Sequence, residues 1–252
     1  MNPLKLQGAV ALVTGANRGL GRALSDALLS RGVKKIYAAA RNPATESSLH
    51  DVRLVPLRLD VTDVAQVHAA AAAASDVTLV INNAGVALNA ELAGSAVLEQ
   101  ARHEMEVNYF GSLQILRQFA PILAMNGGGA LLVVGSASGL TNIPFFPTYS
   151  ASKAALHSLT QAARILLAAQ GTSVFGAYPG PVDTDMVREL AMPKASARDV
   201  ASAILDAAES GQEDIFPDSF SRDFGRQFQA SPKASERQVA AMAAAMAAGS
   251  AA

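Results

Sequence analysis

The sequence predicts one α/β domain built on a parallel sheet of about seven strands, with helices covering both faces. Short strand-like runs that are apolar throughout alternate with helix-like segments along the 252-residue chain. This alternation is typical of parallel strands that are buried on both faces. No linker or internal repeat divides the chain, and its length suits a single domain over residues 1–252. Doubly wound sheets of this kind bind ligands at the carboxyl ends of their strands.

Each strand is placed on an apolar run. The predicted strands, in chain order, are Val10–Thr14, Lys35–Ala39, Arg53–Leu57, Thr78–Asn82, Ala130–Gly135, Ser173–Tyr178 and a short one near Asp214–Phe216. The segments between them predict helices near Leu20–Arg31, Asp63–Ala74, Ala96–Met125, Tyr149–Ala169 and Ala197–Ser210. The tail from Gln238 to Ala252 is rich in alanine and methionine. It is either a frayed helix or a disordered end, and no function is assigned to it.

The composition argues against several classes of partner. Charged residues make up 16% of the chain, the net charge is −1 and no basic run exceeds two residues, so neither nucleic acid nor a membrane is an expected partner. Cysteine is absent, which excludes disulfides and thiolate metal sites and fits a cytoplasmic location. The apolar run Ala9–Val13 is too short for a signal peptide.

Two other features predict structure rather than chemistry. The uncharged stretch Gln118–Ser152 is broken by glycines and by Pro144 and Pro147, so it predicts a buried strand and an apolar loop instead of a membrane helix. That loop would suit the wall of a pocket. The chain has four histidines, His50, His68, His103 and His157. Their spacing is not that of metal ligands, so no metal site is expected. His157 is expected on a helix surface.

The first strand runs into a glycine-rich loop that opens the first helix. Its glycines, Gly15, Gly19 and Gly21, follow a Gly-x-x-x-Gly-x-Gly spacing, with Asn17, Arg18 and Leu20 between them. Glycines allow a sharp turn and a close approach of the backbone to a pyrophosphate, and the helix N-terminus offers N–H groups to its phosphates. Taken alone, the motif is equally typical of a tight strand-to-helix turn. Its position after the first strand favours dinucleotide binding.

The end of the second strand indicates which dinucleotide binds. An acidic residue there would bind the ribose 2′-hydroxyl of NAD, but this chain has Ala40 followed by Arg41. With Arg18 in the glycine loop, two guanidinium groups would suit a 2′-phosphate, so NADP(H) is favoured over NAD(H). The alternative is that both are ordinary surface arginines.

Tyr149 and Lys153 are the central candidates for chemistry. They are four residues apart at the start of a predicted helix, so they project from the same face. A neighbouring cation lowers the pKa of a phenol and lets tyrosine act as a general acid or base. Ser136, thirteen residues before Tyr149, supplies a hydroxyl that could hold the reacting oxygen, and Ser138 could assist it.

Four further segments occur in order along the chain. They are Asp60-Val61-Thr62, Asn82-Asn83-Ala84-Gly85, Asn108 within Glu-Val-Asn-Tyr, and Tyr178 to Thr184 with the sequence Tyr-Pro-Gly-Pro-Val-Asp-Thr. Together with the glycine loop, Ser136, Tyr149 and Lys153, they make the chain closely resemble the short-chain dehydrogenase/reductase family, whose fold is the Rossmann type. The resemblance runs from about residue 8 to about residue 190.

The resemblance implies a role for each matching position. Asp60 would bind the adenine amino group and Val61 would pack on the ring. The end of the fourth strand would line the cofactor through Asn82, Asn83, Ala84 and Gly85. Beyond the sixth strand, Pro179 and Gly180 would shape the loop, while the Val182 backbone and Thr184 would hold the nicotinamide carboxamide.

The resemblance also implies the mechanism. Ser136 would bind the substrate carbonyl oxygen, Tyr149 would protonate it as hydride arrives, and Lys153 would lower the Tyr149 pKa and bind the nicotinamide ribose. Asn108 would sit at a helix kink and hold a water that links Lys153 to solvent. The leading prediction is an NADPH-dependent carbonyl reductase or alcohol dehydrogenase. The alternatives are a 3-oxoacyl-thioester reductase and a non-catalytic NADP-binding regulator on the same fold.

The segments around the site predict an apolar substrate. Those expected to face it are the Leu140–Phe146 loop, Val86, Leu88, Met186 and Leu190. Asp183 and Asp185 are expected to cap a helix. The segment between Thr184 and the helix near Ser196 is short for a family lid, which predicts an open pocket.

The helix that carries Tyr149 has several small residues, namely Ala151, Ala154, Ala155, Ala162 and Ala163. Small residues permit close packing against a second subunit. The resemblance implies a homodimer or homotetramer. The chain lacks the family's usual ending. It continues instead through Phe220, Phe224 and Phe228, a stripe expected to pack on the core or to cover a sheet edge.

Overall fold

The computed structural model describes residues 3–43, 51–88, 92–188 and 192–249. In these parts of the chain, seven strands form one sheet in the order β3-β2-β1-β4-β5-β6-β7, and every pairing is parallel. The strands are β1 (Val10–Thr14), β2 (Lys35–Ala40), β3 (Leu54–Arg58), β4 (Leu79–Asn82), β5 (Ala130–Val134), β6 (Ser173–Ala177) and β7 (Asp214–Ile215). The predicted fold class is confirmed, and each predicted strand end lies within one residue of the observed one.

The sheet is buried on both faces because successive side chains of its apolar strands enter two different cores. In β1, Ala11 and Val13 join the core on one face, whereas Val10 and Leu12 join the core on the other. The strand order reverses direction between β1 and β4. At such a switch point the loops after the two strands diverge and leave a crevice, which places a ligand cleft at their carboxyl ends.

Helices cover both faces. They are α1 (Gly19–Ser30), α2 (Val64–Ala73), α3 (Val97–Met105), α4 (Ser112–Met125), α5 (Pro147–Leu166), α6 (Ala197–Glu209), α7 (Ser219–Ala230) and α8 (Pro232–Gly249). The long helix predicted from Ala96 to Met125 is interrupted by a π-helical turn, Glu106–Gly111, between α3 and α4. No helix in the described ranges is both long and apolar enough to cross a membrane.

The C-terminal region forms two helices where the sequence left the structure open. Asp218 starts α7 through a capping box, in which its side chain accepts from the Ser221 N–H and the Ser221 hydroxyl accepts from the Asp218 N–H. On α7, Phe220 and Phe224 stack with their centroids 5.8 Å apart. Phe224 packs with Val239 of α8 and with Ala137, which follows Ser136. Two residues of the predicted stripe, Phe220 and Phe224, therefore pack in a small core cluster beside the loop after β5, which is the first of the two alternatives expected for the stripe.

Candidate active site

One cavity of about 600 Å³ opens at the carboxyl ends of the central strands. Except for Asn82 and Asn108, every catalytic and cofactor residue expected from the sequence lines it: Gly15, Asn17, Arg18, Gly19, Leu20, Gly21, Arg41, Asp60, Val61, Asn83, Ala84, Gly85, Ser136, Tyr149, Lys153, Pro179, Gly180, Val182 and Thr184. Residues from distant parts of the sequence therefore meet in one space. Among the described residues, no group of histidine, aspartate and glutamate side chains is arranged to hold a metal ion.

The glycine loop meets the geometric requirements of a phosphate site. Gly15 and Gly19 adopt φ values of +67° and +53°, which residues with a Cβ rarely reach. A Cβ on Gly21 would lie 2.2 Å from the Gly15 carbonyl oxygen. Helix α1 begins at Gly19 with no side-chain cap and no acidic residue in its first turn. Its free N–H groups and positive dipole end therefore suit a dinucleotide pyrophosphate.

Thr14, which ends β1, ties this loop to the next one. Its fully buried hydroxyl accepts hydrogen bonds from the backbone N–H groups of Asn83 and Ala84, at 2.9 and 3.0 Å. The Asn83 amide in turn donates to the Thr14 carbonyl oxygen at 2.9 Å. Asn82, expected to line the cofactor, is buried beside Thr14 instead and is not among the cavity-lining residues described. This role of Thr14 was not predicted from the sequence, although a hydroxyl at the end of a buried apolar strand was a usable signal.

The end of the cavity next to β2 and the glycine loop carries two exposed arginines. Arg41 follows β2, and Arg18 pairs with Asp185 at 3.3 Å from the loop beyond β6. Asp185 also pairs with Arg188, and Thr184 rather than an aspartate occupies the N-cap position of the short turn Asp185–Val187. The capping role expected for Asp183 and Asp185 is therefore wrong, because Asp185 is engaged by two guanidinium groups.

Asp60 and Val61 lie where the adenine ring was expected. The Asp60 carboxylate accepts hydrogen bonds from the Thr62 N–H and hydroxyl, at 3.0 and 2.8 Å. Val61 is buried against Gly111, where an added Cβ would lie 2.6 Å from Val61 Cγ2. The π-helical turn therefore packs closely beneath this side of the cavity.

Ser136, Tyr149 and Lys153 converge at the centre of the cavity. Ser136 follows β5, and its Oγ accepts a hydrogen bond from the Ser138 hydroxyl at 2.9 Å. Tyr149 lies in the first turn of α5, and Lys153 Nζ is 5.7 Å from the centroid of its ring. Lys153 is buried and donates to the Val134 carbonyl oxygen at 3.0 Å. The ammonium is thus held in place by the end of β5.

Burial dominates the proton affinities of this pair. It is the largest cause that raises the pKa of Tyr149 to about 12. The hydrogen bond with Ser136 lowers this pKa, and the charge of Glu104 raises it further. Burial also lowers the pKa of Lys153 to about 8. Burial has the largest effect on the Tyr149 pKa in this structure, and the lowering expected from Lys153 stays a prediction.

Asn108 lies behind the cavity wall, within the π-helical turn. Its side-chain amide donates to the Val86 carbonyl oxygen and to the Ser152 hydroxyl, at 2.9 and 2.8 Å, and its Oδ1 accepts from the Val86 N–H at 2.9 Å. A Cβ on Gly85 would lie 3.0 Å from Asn108 Oδ1 and 3.4 Å from Lys153 Nζ. Asn108 is thus close to Lys153, and its part in a water relay stays a prediction.

The loop after β6 is held by groups that the sequence analysis did not single out. The Gly180 N–H donates to Asp218 Oδ2 at 2.9 Å, and an added Cβ on Gly180 would lie 2.6 Å from the Phe220 ring. Ala195 makes two backbone hydrogen bonds to this loop. Its carbonyl oxygen accepts from the Asp183 N–H at 2.8 Å, and its N–H donates to the Pro181 carbonyl oxygen at 2.9 Å. The position of Val182 and Thr184 therefore depends on α7 as well as on the local turn.

The remaining part of the cavity is apolar. Its lining side chains are Val86, Ala87, Ile143, Phe145, Phe146, Met186, Val187, Met192, Phe220 and Met242. Leu88 and Leu140, which were expected to face a substrate, are not among the cavity-lining residues described. The expectation for Leu190 falls outside the described residues. Phe220 and Met242 come from the C-terminal helices, and the spacing of the phenylalanines was the signal that this region packs near the site.

His157 is half-buried rather than on a helix surface. Its Nδ1 lies 2.8 Å from the Tyr178 hydroxyl, and burial lowers its pKa. The surface prediction was wrong because α5 packs against β6 at this point, next to the end of the strand where Tyr178 lies.

The small residues of α5 are mostly exposed. Ala151, Ala154 and Ala162 face outward, whereas Ala163 is buried in the core. The exposed positions leave one face of α5 accessible to another chain, and a dimer stays a prediction.

Comparison with known families identifies the region that carries this site. The model of the short chain dehydrogenase family matches residues 9–195. Galactitol 2-dehydrogenase (L-tagatose-forming) from Cereibacter sphaeroides is 34% identical over 196 residues, which cover 74% of this chain and 76% of that protein. The chain spans only 15%, 60% and 55% of the lengths of three other curated relatives, which are 30–36% identical to it.

Solved structures include similar chains with either nicotinamide cofactor. A short chain dehydrogenase from Burkholderia cenocepacia J2315 in complex with NADP superposes with a TM-score of 0.87 at 39% identity, covering 94% of this chain and 99% of that one. A short chain dehydrogenase/reductase from Burkholderia phymatum in complex with NAD gives a TM-score of 0.80 at 26% identity, covering 89% and 94% of the two chains.

Proposed function

Because this chain belongs to the short-chain dehydrogenase family, we propose that it is an NAD(P)-dependent oxidoreductase that interconverts a carbonyl compound and an alcohol with NADP(H). The observation that carries the proposal is the convergence of Ser136, Tyr149 and Lys153 in a cavity that also contains the glycine loop. Each group alone has a structural explanation. Their meeting in one cavity fits carbonyl chemistry next to a bound dinucleotide.

Two features support NADP(H) over NAD(H). The end of β2 has no acidic residue to bind a ribose 2′-hydroxyl, and Arg41 and Arg18 line the cavity at that end. A guanidinium group pairs with a phosphate through charge-assisted hydrogen bonds. The Arg18–Asp185 ion pair is exposed and therefore weak, so Arg18 can turn to a phosphate at little cost.

The catalytic residues of this chain act on the substrate oxygen. A bound reduced nicotinamide supplies the hydride for the carbonyl carbon. Ser136 donates a hydrogen bond to the carbonyl oxygen, and the Ser138 hydroxyl orients Ser136 by donating to its Oγ. Tyr149 then transfers its proton to the oxygen as negative charge develops there. A Tyr149 pKa of about 12 keeps the hydroxyl protonated at neutral pH, which suits a proton donor.

Lys153 contributes charge and position. Its ammonium is held by the Val134 carbonyl oxygen and lies beside Tyr149, where it stabilises the phenolate that forms when the proton leaves. Asn108 and Gly85 adjoin Lys153 and offer a route by which a proton is returned through water.

The lining of the cavity supports an apolar substrate. Apart from the catalytic residues and the charged side chains of Arg18, Arg41, Asp60 and Asp185, the described walls are mainly aliphatic, aromatic and methionine side chains. Three of them are methionines, Met186, Met192 and Met242, whose flexible side chains adapt to different shapes. The reaction therefore suits a neutral, mainly apolar ketone or aldehyde.

The test is oxidation of reduced cofactor, followed at 340 nm with a panel of apolar ketones, aldehydes and acyl thioesters under NADPH and NADH. We expect turnover with an apolar ketone or aldehyde and a preference for NADPH. Turnover confined to acyl thioesters would instead identify a 3-oxoacyl-thioester reductase. Tight NADPH binding without turnover of any carbonyl compound would indicate a regulator.

A further inference from the structure

Glu104, on α3, is a buried carboxylate that the reaction described above does not use. Its side chain is fully buried, and its Oε1 accepts a hydrogen bond from the Leu88 N–H at 2.8 Å. Its other oxygen, Oε2, is buried without a hydrogen-bond partner in the described part of the chain. A carboxylate oxygen in this state costs free energy, so the residue calls for an explanation other than stability.

Glu104 and Asn108 hold the same segment of the cavity wall. Asn108 makes two hydrogen bonds to the backbone of Val86, and Glu104, four residues earlier, binds the backbone of Leu88. Val86 and Ala87, which lie in this segment, line the cavity. The two side chains therefore determine how far that wall stands from α5.

We propose that Glu104 is a positioning residue of this site: it fixes the 86–88 wall together with Asn108, and its negative charge keeps the proton on the Tyr149 hydroxyl. The second part rests on the proposed function, because it assigns Tyr149 the role of proton donor. The first part depends only on the hydrogen bond to Leu88.

The helix packing carries the charge argument. Helix α3 packs directly against α5, which bears Tyr149. The buried Glu104 carboxylate is poorly screened by water, so its charge acts on groups across this contact. It raises the pKa of Tyr149, in the same direction as burial and against the Ser136 hydrogen bond. A raised pKa extends to higher pH the range in which Tyr149 carries the proton that reduction consumes.

Other charges near Tyr149 come from the elements packed on α5. Lys153 lies on α5 itself, as do His157 and Arg164 farther along it. Helix α3 also bears Glu99, Arg102 and His103, and the π-helical turn bears Glu106 and Tyr109. The turn Ala137–Gly139 and strand β6, which also pack on α5, have no charged residue. Of the acidic groups on α3 and the π-helical turn, Glu104 alone is buried.

Two substitutions separate the two roles. Glu104→Gln keeps a carbonyl oxygen for the Leu88 N–H and removes the charge. Glu104→Met keeps an unbranched side chain of similar length and removes both the charge and the acceptor for the Leu88 N–H. Glu106→Gln is the matched control, since it makes the same change at an exposed glutamate two residues away.

For reduction, kcat/KM falls above about pH 8 as Lys153 loses its proton, and a second fall, the high-pH limb, follows near pH 12 as Tyr149 loses its proton. In Glu104→Gln this fall should move to lower pH by about one unit, with KM changed less than about twofold. Glu104→Met should in addition raise KM on the order of tenfold, as expected for one lost hydrogen bond. Glu106→Gln should leave the high-pH fall in kcat/KM and the value of KM unchanged. An unmoved high-pH limb in Glu104→Gln would overturn the charge role.

Measurements without turnover distinguish failure of this proposal from failure of the proposed function. Hydrogen–deuterium exchange at the Leu88 amide should be faster in Glu104→Met and protected in Glu104→Gln. Equal protection in Glu104→Met and the unaltered chain would refute the positioning role. Tyrosinate absorbance at 295 nm, taken as a difference from Tyr149→Phe, reports the Tyr149 proton directly, because the chain has no tryptophan. Glu104→Gln should shift that titration to lower pH, whether or not a substrate is found, and an unshifted titration would refute the charge role.

Discussion

The Asp218 carboxylate accepts a hydrogen bond from the Gly180 backbone N–H at 2.9 Å, linking the loop after β6 to the start of α7. The same carboxylate accepts from the Ser221 N–H through its other oxygen at 2.8 Å. One buried side chain, that of Asp218, therefore links the loop after β6 to the C-terminal helices. Those helices place Phe220 and Met242 in the cavity wall, which makes the region beyond residue 195 part of the site.

Met242 should limit the size of the substrate. Met242→Ala removes most of one wall side chain, so kcat/KM for bulky apolar ketones should rise by several-fold relative to small ones. Met242→Trp should reverse that order. The measurement is the ratio of kcat/KM values for a bulky and a small ketone. Met125→Ala is the control, because Met125 is 75% exposed and lies outside the cavity; equal ratios in all three variants would exclude Met242 from the substrate wall.

Tyr149→Phe should abolish turnover, because the substituted ring has no proton to donate. A loss of about 10²- to 10⁴-fold in kcat is expected for removal of a general acid. NADPH affinity, measured by fluorescence titration, should change only a few-fold, since the glycine loop is untouched. Tyr109→Phe is the matched control outside the cavity. Near-normal kcat in Tyr149→Phe would refute the proton-donor role.

Lys153→Met should inactivate the protein and stabilise it at neutral pH. Burial lowers the pKa of Lys153 from 10.5 to about 8, so the buried charge costs on the order of 3 kcal/mol at pH 7. Loss of the hydrogen bond to Val134 offsets about 1 kcal/mol of that gain. The free energy of unfolding should therefore rise by about 1–2 kcal/mol.

The pH dependence of this difference follows from the sign of the shift. The folded state binds its proton more weakly than the unfolded state does, so the cost is complete below pH 8. It is relieved as the pH rises from about 8 towards 10.5. Urea unfolding at pH 7, 8, 9 and 10 should show the advantage of Lys153→Met shrinking with pH. An advantage that is constant or grows with pH would contradict this account.

Arg41→Ala should weaken the binding of NADPH and leave the binding of NADH nearly unchanged. If Arg41 pairs with a 2′-phosphate, its loss costs about 10- to 100-fold in KM for NADPH, the range of one charge-assisted hydrogen bond. KM for NADH, which lacks that phosphate, should stay within about twofold. Arg58→Ala removes an exposed arginine from the end of β3, outside the cavity, and should affect neither. Equal losses for both cofactors in Arg41→Ala would argue against the 2′-phosphate contact.

Thr14→Val should destabilise the fold, because it leaves the N–H groups of Asn83 and Ala84 without their acceptor. Two unsatisfied donors cost about 2–4 kcal/mol in the free energy of unfolding. Thr148→Val is a matched control: the Thr148 hydroxyl is buried without a partner among the described residues, so the change should be neutral or stabilising. Urea denaturation measures both, and a Thr14→Val loss no greater than that of Thr148→Val would show that the Thr14 hydroxyl is dispensable.

The sheet and much of the cavity lining could be predicted from the chain alone, for local reasons. Apolar runs such as Val10–Thr14 mark buried strands, and glycines such as Gly15 mark a turn that other residues cannot make. Parallel strands bring their carboxyl ends to one edge, so motifs that follow separate strands were expected to meet there. The C-terminal region was predicted only in part: the tail from Gln238 was left as a helix or a disordered end, and the spacing of Phe220, Phe224 and Phe228 indicated packing without helix bounds.

The sequence by itself therefore determined the fold class, the positions of the strands and many of the side chains that meet in the cavity. Only the tertiary structure decided which distant groups act on them: Thr14 on Asn83, Asp218 on Gly180, Tyr178 on His157, and Glu104 on Leu88. It also decided the direction of the Tyr149 pKa. The physical reason is that burial and long-range hydrogen bonds depend on which elements pack together, whereas strand and turn patterns depend on neighbours in sequence.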